Sequence, residues 1–128
     1  ELHNSIYSNT VLVVLSPLVK ENEFRQNFNI SVKNEKRSLD EIWLSSYKQM
    51  KENVIDFNVI ERVDYKINSI EGKKTESTAT FESINVYLIT YEFIVNSKLI
   101  TITFSNEANL IRLQKPIVES IIETLTFK

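Results

Sequence analysis

Apolar positions along this chain follow two periods, and the changes from one to the other mark its elements. Val11-Leu12-Val13-Val14-Leu15 is an unbroken aliphatic run closed by Ser16-Pro17, as in a strand buried on both faces. Beyond the polar stretch Lys20-Glu21-Asn22-Glu23, residues Phe24, Phe28, Ile30 and Val32 recur at even positions, which is the alternation of a strand with one wet face. The two runs are expected to be neighbouring strands joined by the acidic loop. Ser38-Leu39-Asp40-Glu41 has the spacing of a capping box and predicts a helix near residues 38–54. Its packing stripe is Leu39, Ile42, Trp43, Ser46, Met50 and Val54, with Lys48, Lys51 and Glu52 on the opposite side.

From Phe57 the period returns to two. Phe57, Val59, Val63, Tyr65 and Ile67 alternate with polar residues and predict a long strand with a wet side. Ile70-Glu71-Gly72-Lys73 reads as the turn that follows, because glycine takes positive φ at little cost. Thr75 to Phe81 is a polar, threonine-rich strand and is expected at a solvated or edge position. Ile84–Val95 and Lys98–Ser105 are the strongest strand signals, joined through a tight hairpin at Asn96-Ser97. Tyr87, Ile89, Tyr91, Phe93 and Val95 share one face of the first, while Ile100, Ile102 and Phe104 mark the second. Asn106-Glu107-Ala108 offers a cap and an acidic first turn, predicting a C-terminal helix near residues 107–125. Leu110, Leu113, Ile117, Val118, Ile121, Ile122 and Leu125 are its apolar positions, and Pro116 either kinks it or begins its main segment.

Composition narrows the class. The 128 residues suit one domain spanning residues 1–128, and 42% apolar with 25% charged residues is ordinary for a globular protein. With a net charge of -2 and no basic field, nucleic acid is not an expected partner. No apolar run approaches the roughly 20 residues of a membrane span. The chain has no cysteine, which excludes disulfides and thiolate metal sites.

The order of these elements resembles that of PsbP-like domains. The phrases that carry the likeness are Val11 to Pro17, then Phe24-Arg25-Gln26-Asn27-Phe28-Asn29-Ile30-Ser31-Val32, the helix opened at Ser38, and the ending Pro116-Ile117-Val118-Glu119-Ser120-Ile121-Ile122. The resemblance implies an α+β fold, a central antiparallel β-sheet covered by helices, and no enzymatic activity. It also implies an exported accessory or binding domain, in the periplasm or tethered to a membrane, that works by contact with another protein. An N-terminal lipid anchor ahead of Glu1 fits that picture. The alternative is an intracellular chaperone or adaptor that holds an apolar client segment on the sheet face.

Candidate chemistry is sparse, and no catalytic, cofactor-binding or metal residue is assigned. His3 is the single histidine and lies near a terminus. The carboxylate pairs Asp40/Glu41, Glu21/Glu23 and Glu61/Asp64 fit no calcium loop and are read as capping and surface charge. Tyr87, Tyr91 and Phe93 are read as sheet interior before ligand groove, and Trp43 as core before binding hot spot. Asn29-Ile30-Ser31 matches a glycosylation sequon but falls inside a strand.

Overall fold

Three tight turns built from non-glycine residues organise the sheet. Asn68-Ser69, Glu82-Ser83 and Asn96-Ser97 all carry positive φ, between 46° and 71°. Two successive residues with positive φ give the turn whose twist matches that of the strands it joins, which makes each link a two-residue hairpin. The computed structural model describes residues 10–15 and 27–125. Its strands are β1 (Thr10–Leu15), β2 (Asn27–Asn34), β3 (Ile55–Ile67), β4 (Ile70–Phe81), β5 (Ile84–Val95) and β6 (Lys98–Glu107). Its helices are α1 (Leu39–Asn53) and α2 (Ile111–Glu123). The strands form one six-stranded sheet in the order β1-β2-β6-β5-β4-β3, antiparallel throughout. The expected pairing of the first two strands and the hairpin at Asn96-Ser97 are both present.

The strongly apolar face of the sheet carries α2. Ile89, Tyr91 and Phe93 of β5 lie beside Phe104, Ile102 and Ile100 of β6, and Val118 and Ile122 of α2 close over them. Withdrawing each such side chain from water is worth about 1.5–3 kcal/mol, so this face holds most of the apolar stabilisation. Tyr65 meets Tyr91 edge-on with ring centroids 4.9 Å apart. The Tyr91–Phe93 face is therefore core, as its pattern suggests.

Four expectations need correction. Gly72 is not in a turn. It sits inside β4 without positive φ, where a Cβ would collide with the Glu92 carbonyl and the Phe93 ring. The turn belongs to Asn68-Ser69, because asparagine tolerates left-handed backbone and its amide here donates to the Leu125 carbonyl at 3.3 Å. The threonine-rich strand is not an edge either: β4 lies between β3 and β5, and Thr75, Glu76, Ser77 and Ala79 are buried. Its polar content is accommodated in part because Thr75 receives Arg62 and Glu76 receives Tyr87 and Lys115.

The third correction concerns β3, whose alternation does not keep to one face. The pairing register shifts between Val59 and Glu61, and this bulge places Phe57 on the α1 side and Tyr65 on the α2 side although both are odd-numbered. The fourth is the start of the last helix, which is Ile111 and not residue 107. Glu107 still pairs with Val86 in the sheet, and Asn106 turns its side-chain oxygen to the Glu107 amide at 2.8 Å instead of capping a helix. Helix α2 runs continuously through Pro116.

Candidate functional site

Helix α1 begins as its sequence requires. The Ser38 hydroxyl accepts from the Glu41 amide at 3.2 Å, and Glu41 reaches back to the Ser38 amide at 3.3 Å. The helix lies across the sheet face opposite α2, and only Ile42 among its residues is fully buried. Trp43 is half-buried, 5.4 Å from the Tyr47 ring, and Tyr47 in turn lies 6.2 Å from Phe57. Lys51 ties the end of the helix to β3 by donating to the Phe57 carbonyl at 2.9 Å.

Beneath α1 the sheet is lined with hydroxyls. Thr103, Thr90 and Thr75 stand in one cross-strand row that ends at Arg62, and Ser31, Thr101 and Glu92 form part of the next. A groove of about 380 Å³ runs between this floor, which also carries Phe57, Leu88 and Leu99, and Trp43, Ser46 and Met50 of α1.

The electrostatics of the groove centre on Arg62. Its guanidinium carbon lies 4.4 Å from the centre of the Trp43 ring, Nη1 donates to Thr75 Oγ1 at 3.2 Å, and Nη1 stands 3.7 Å from Glu92. Burial lowers the Arg62 pKa against the pull of Glu92, Asp40 and Asp64. Burial likewise raises the Glu92 pKa, and Arg62 and Lys33 only partly offset it. Among the described residues, the buried Arg62 Nη2 has no hydrogen-bond partner.

A second ionic cluster lies on the α2 face. Glu76 is 2% exposed and accepts from Tyr87 at 2.8 Å and pairs with Lys115 at 2.7 Å, with Lys74 at 3.6 Å. Lys74 also bridges to Glu119 at 3.3 Å. Burial pushes the Glu76 pKa up, but the bonds from Lys115 and Tyr87 and the charge of Lys74 outweigh it, leaving the carboxyl below its ordinary value. Burial and the Glu76 charge raise the Tyr87 phenol. The cluster fastens α2 to β4.

Most residues singled out in the sequence take structural places. Tyr91 and Phe93 are wholly buried, and Tyr87 is half-buried on Glu76. Glu41 completes the helix cap, Asp64 pairs with Lys73 on the surface, and Glu61 faces Glu76 across β3 and β4. Asn29 lies within β2, in register with Thr103. His3, Glu21 and Glu23 lie outside the described residues. Sequence reading missed Arg62, Glu76 and Glu92. Their signal is a charged residue at a strand position whose neighbours in register are also polar, which appears only once the pairing is known. Among the described residues, no three His, Cys, Asp or Glu side chains converge as metal ligands would, and no helix is long and apolar enough to cross a membrane.

No protein-family profile matches the sequence, and no curated protein matches it. Similarity to solved structures is extensive in shape. A Pseudomonas aeruginosa protein of unknown function, described as a candidate regulator, matches with a TM-score of 0.80 at 11% identity, over 94% of this chain and 84% of that one. The cyanobacterial PsbP of Synechocystis sp. PCC 6803 matches at 0.65 and 8% identity, over 91% and 81% of the two chains. LpqN of Mycobacterium tuberculosis, described as involved in cell envelope biogenesis, matches at 0.60 and 6% identity, over 84% and 73%. The chain has the PsbP-like α+β fold.

Proposed function

We propose that this chain is a non-enzymatic accessory domain of an exported protein and that it acts by binding another protein. The observation that carries the reading is the use made of the buried carboxylates. Glu76 is held by Lys115, Lys74 and Tyr87, which fastens the last helix to the sheet, and Glu92 is paired with Arg62 across the strands, so both buried carboxylates have structural partners. Large apolar side chains meanwhile stand in solvent where a partner would cover them. Ile117 and Ile121, one turn apart on α2, are 60% and 43% exposed, and Ile55 and Ile60 of the edge strand are 66% and 56% exposed. Export, with or without a lipid anchor, is supported by analogy with LpqN and its part in envelope biogenesis. A chaperone that holds its client on the sheet would need an open apolar sheet face, whereas the apolar face here lies under α2.

The test uses Ile117→Asp combined with Ile121→Asp, at positions exposed enough for the fold to tolerate the change. Immobilised wild-type chain should retain a discrete envelope protein from extracts of the source cells, and the double variant should lose about tenfold of that retention. Equal retention by both would remove this surface from the reading. Recovery of the native protein in the cytosolic fraction alone would contradict export.

A further inference from the structure

A carboxylate withdrawn from water ordinarily gathers hydrogen bonds in place of those it loses. Glu92 does not. Its side chain is 11% exposed, and among the described residues its one ion pair, to Arg62 Nη1, is 3.7 Å long and so beyond hydrogen-bond range, with no other group donating to it. The same Nη1 already donates to Thr75 at 3.2 Å, and the guanidinium lies against Trp43 of α1. Glu92 lines the groove together with Ile42, Trp43, Ser46 and Met50 of α1, so the helix shelters this carboxyl from solvent. The shelter is lightly built, since only Ile42 of the helix is fully buried.

Charged groups face Glu92 from several elements. Arg62 and Asp64 lie on β3, Lys73 stands opposite it in register on β4, Lys33 is on β2 and Asp40 is in the first turn of α1, while its neighbour in register on β6, Thr101, is uncharged. Arg62 and Lys33 favour the ionised form, but burial outweighs them and raises the carboxyl above its ordinary value. We propose that α1 is a pH-responsive flap, seated over the groove while Glu92 is protonated and lifting from it more often once Glu92 ionises. With α1 lifted, water solvates the carboxylate and returns its pKa toward 4.5. The seated form thus holds the proton more tightly than the lifted form, so its advantage is full below 4.5 and is lost as pH rises through the seated-form value. The flap lies on the opposite side of the sheet from the α2 ridge and does not depend on the protein-contact reading.

Native-state amide hydrogen exchange of the whole chain between about pH 4 and 7, corrected for intrinsic exchange rates, reads the opening of α1 from the amides of Trp43 to Met50. Opening should become more frequent as pH rises, by about tenfold for each pH unit through which burial raises the carboxyl. Glu92→Gln should make that opening independent of pH. Asp40→Asn, which removes the carboxylate carried by the flap itself, should keep the rise. Opening of α1 in the wild-type chain that stays constant across the range overturns the proposal, whether or not Glu92→Gln folds. So does a rise that survives Glu92→Gln, or one that Asp40→Asn abolishes.

Discussion

Gly72 is the residue whose role differs most from its sequence reading. Its neighbours in space are the Glu92 carbonyl and the Phe93 ring, and the backbone oxygen cannot rotate aside as a side chain would. Gly72→Ala is therefore expected to lower stability by about 2–3 kcal/mol in urea denaturation, through overpacking. A chain that accepts alanine there without loss would contradict the close approach. Glu76 and Glu92 make opposite contributions to pH dependence. The lowered Glu76 pKa adds stability that is present above the ordinary value of 4.5 and is lost as pH falls through the folded value. The raised Glu92 pKa adds stability that is present below 4.5 and is lost as pH rises through its folded value. Glu76→Gln should cost about 2 kcal/mol at neutral pH, less than the loss from a wholly buried pair because Lys115 is part-exposed, and should flatten the acid-side decline. Glu92→Gln should remove the opposing loss at rising pH. Urea midpoints measured across the carboxylate range would separate the two.

At the scale of elements, α1 depends on its cap more than α2 does on its own. Few side chains of α1 are buried, and Ser38→Ala should cost about 1 kcal/mol of stability, with loss of helical circular dichroism before the sheet signal. Helix α2 has no side-chain cap and is held by Val118, Ile122 and the Glu76 cluster. The α1 cap and the Asn96-Ser97 hairpin were legible because their signals are local: four residues in one case, two in the other. The β3 bulge was not legible, since it depends on where β4 pairs and only that register reveals that Phe57 and Tyr65 point to opposite faces. The interior position of β4 was hidden for a related reason. Its polar residues suggest solvent until Lys115, Tyr87 and Arg62 arrive from distant parts of the chain to satisfy them. The start of α2 was misjudged because Asn106 is equally suited to a cap and to the local bond it makes with Glu107. The groove was invisible for the same reason as the bulge, because its hydroxyl rows form only across strands.

Taken as a whole, the molecule divides its sheet into two unlike faces. One is closed by α2 over aromatic and aliphatic core, and the other carries α1 over hydroxyls, Arg62 and Glu92. The division leaves exposed isoleucines on the outer ridge of α2 and a polar-floored groove under α1. It also implies unequal stability, because an element with few buried apolar contacts opens locally at lower free energy than the core. Native-state amide hydrogen exchange tests this most directly. Amides of α1 between Ile42 and Asn53 should exchange through openings well below the global unfolding free energy, while those of β5 and of α2 from Val118 to Glu123 should exchange only on global unfolding. Protection of α1 equal to that of β5 would contradict the division.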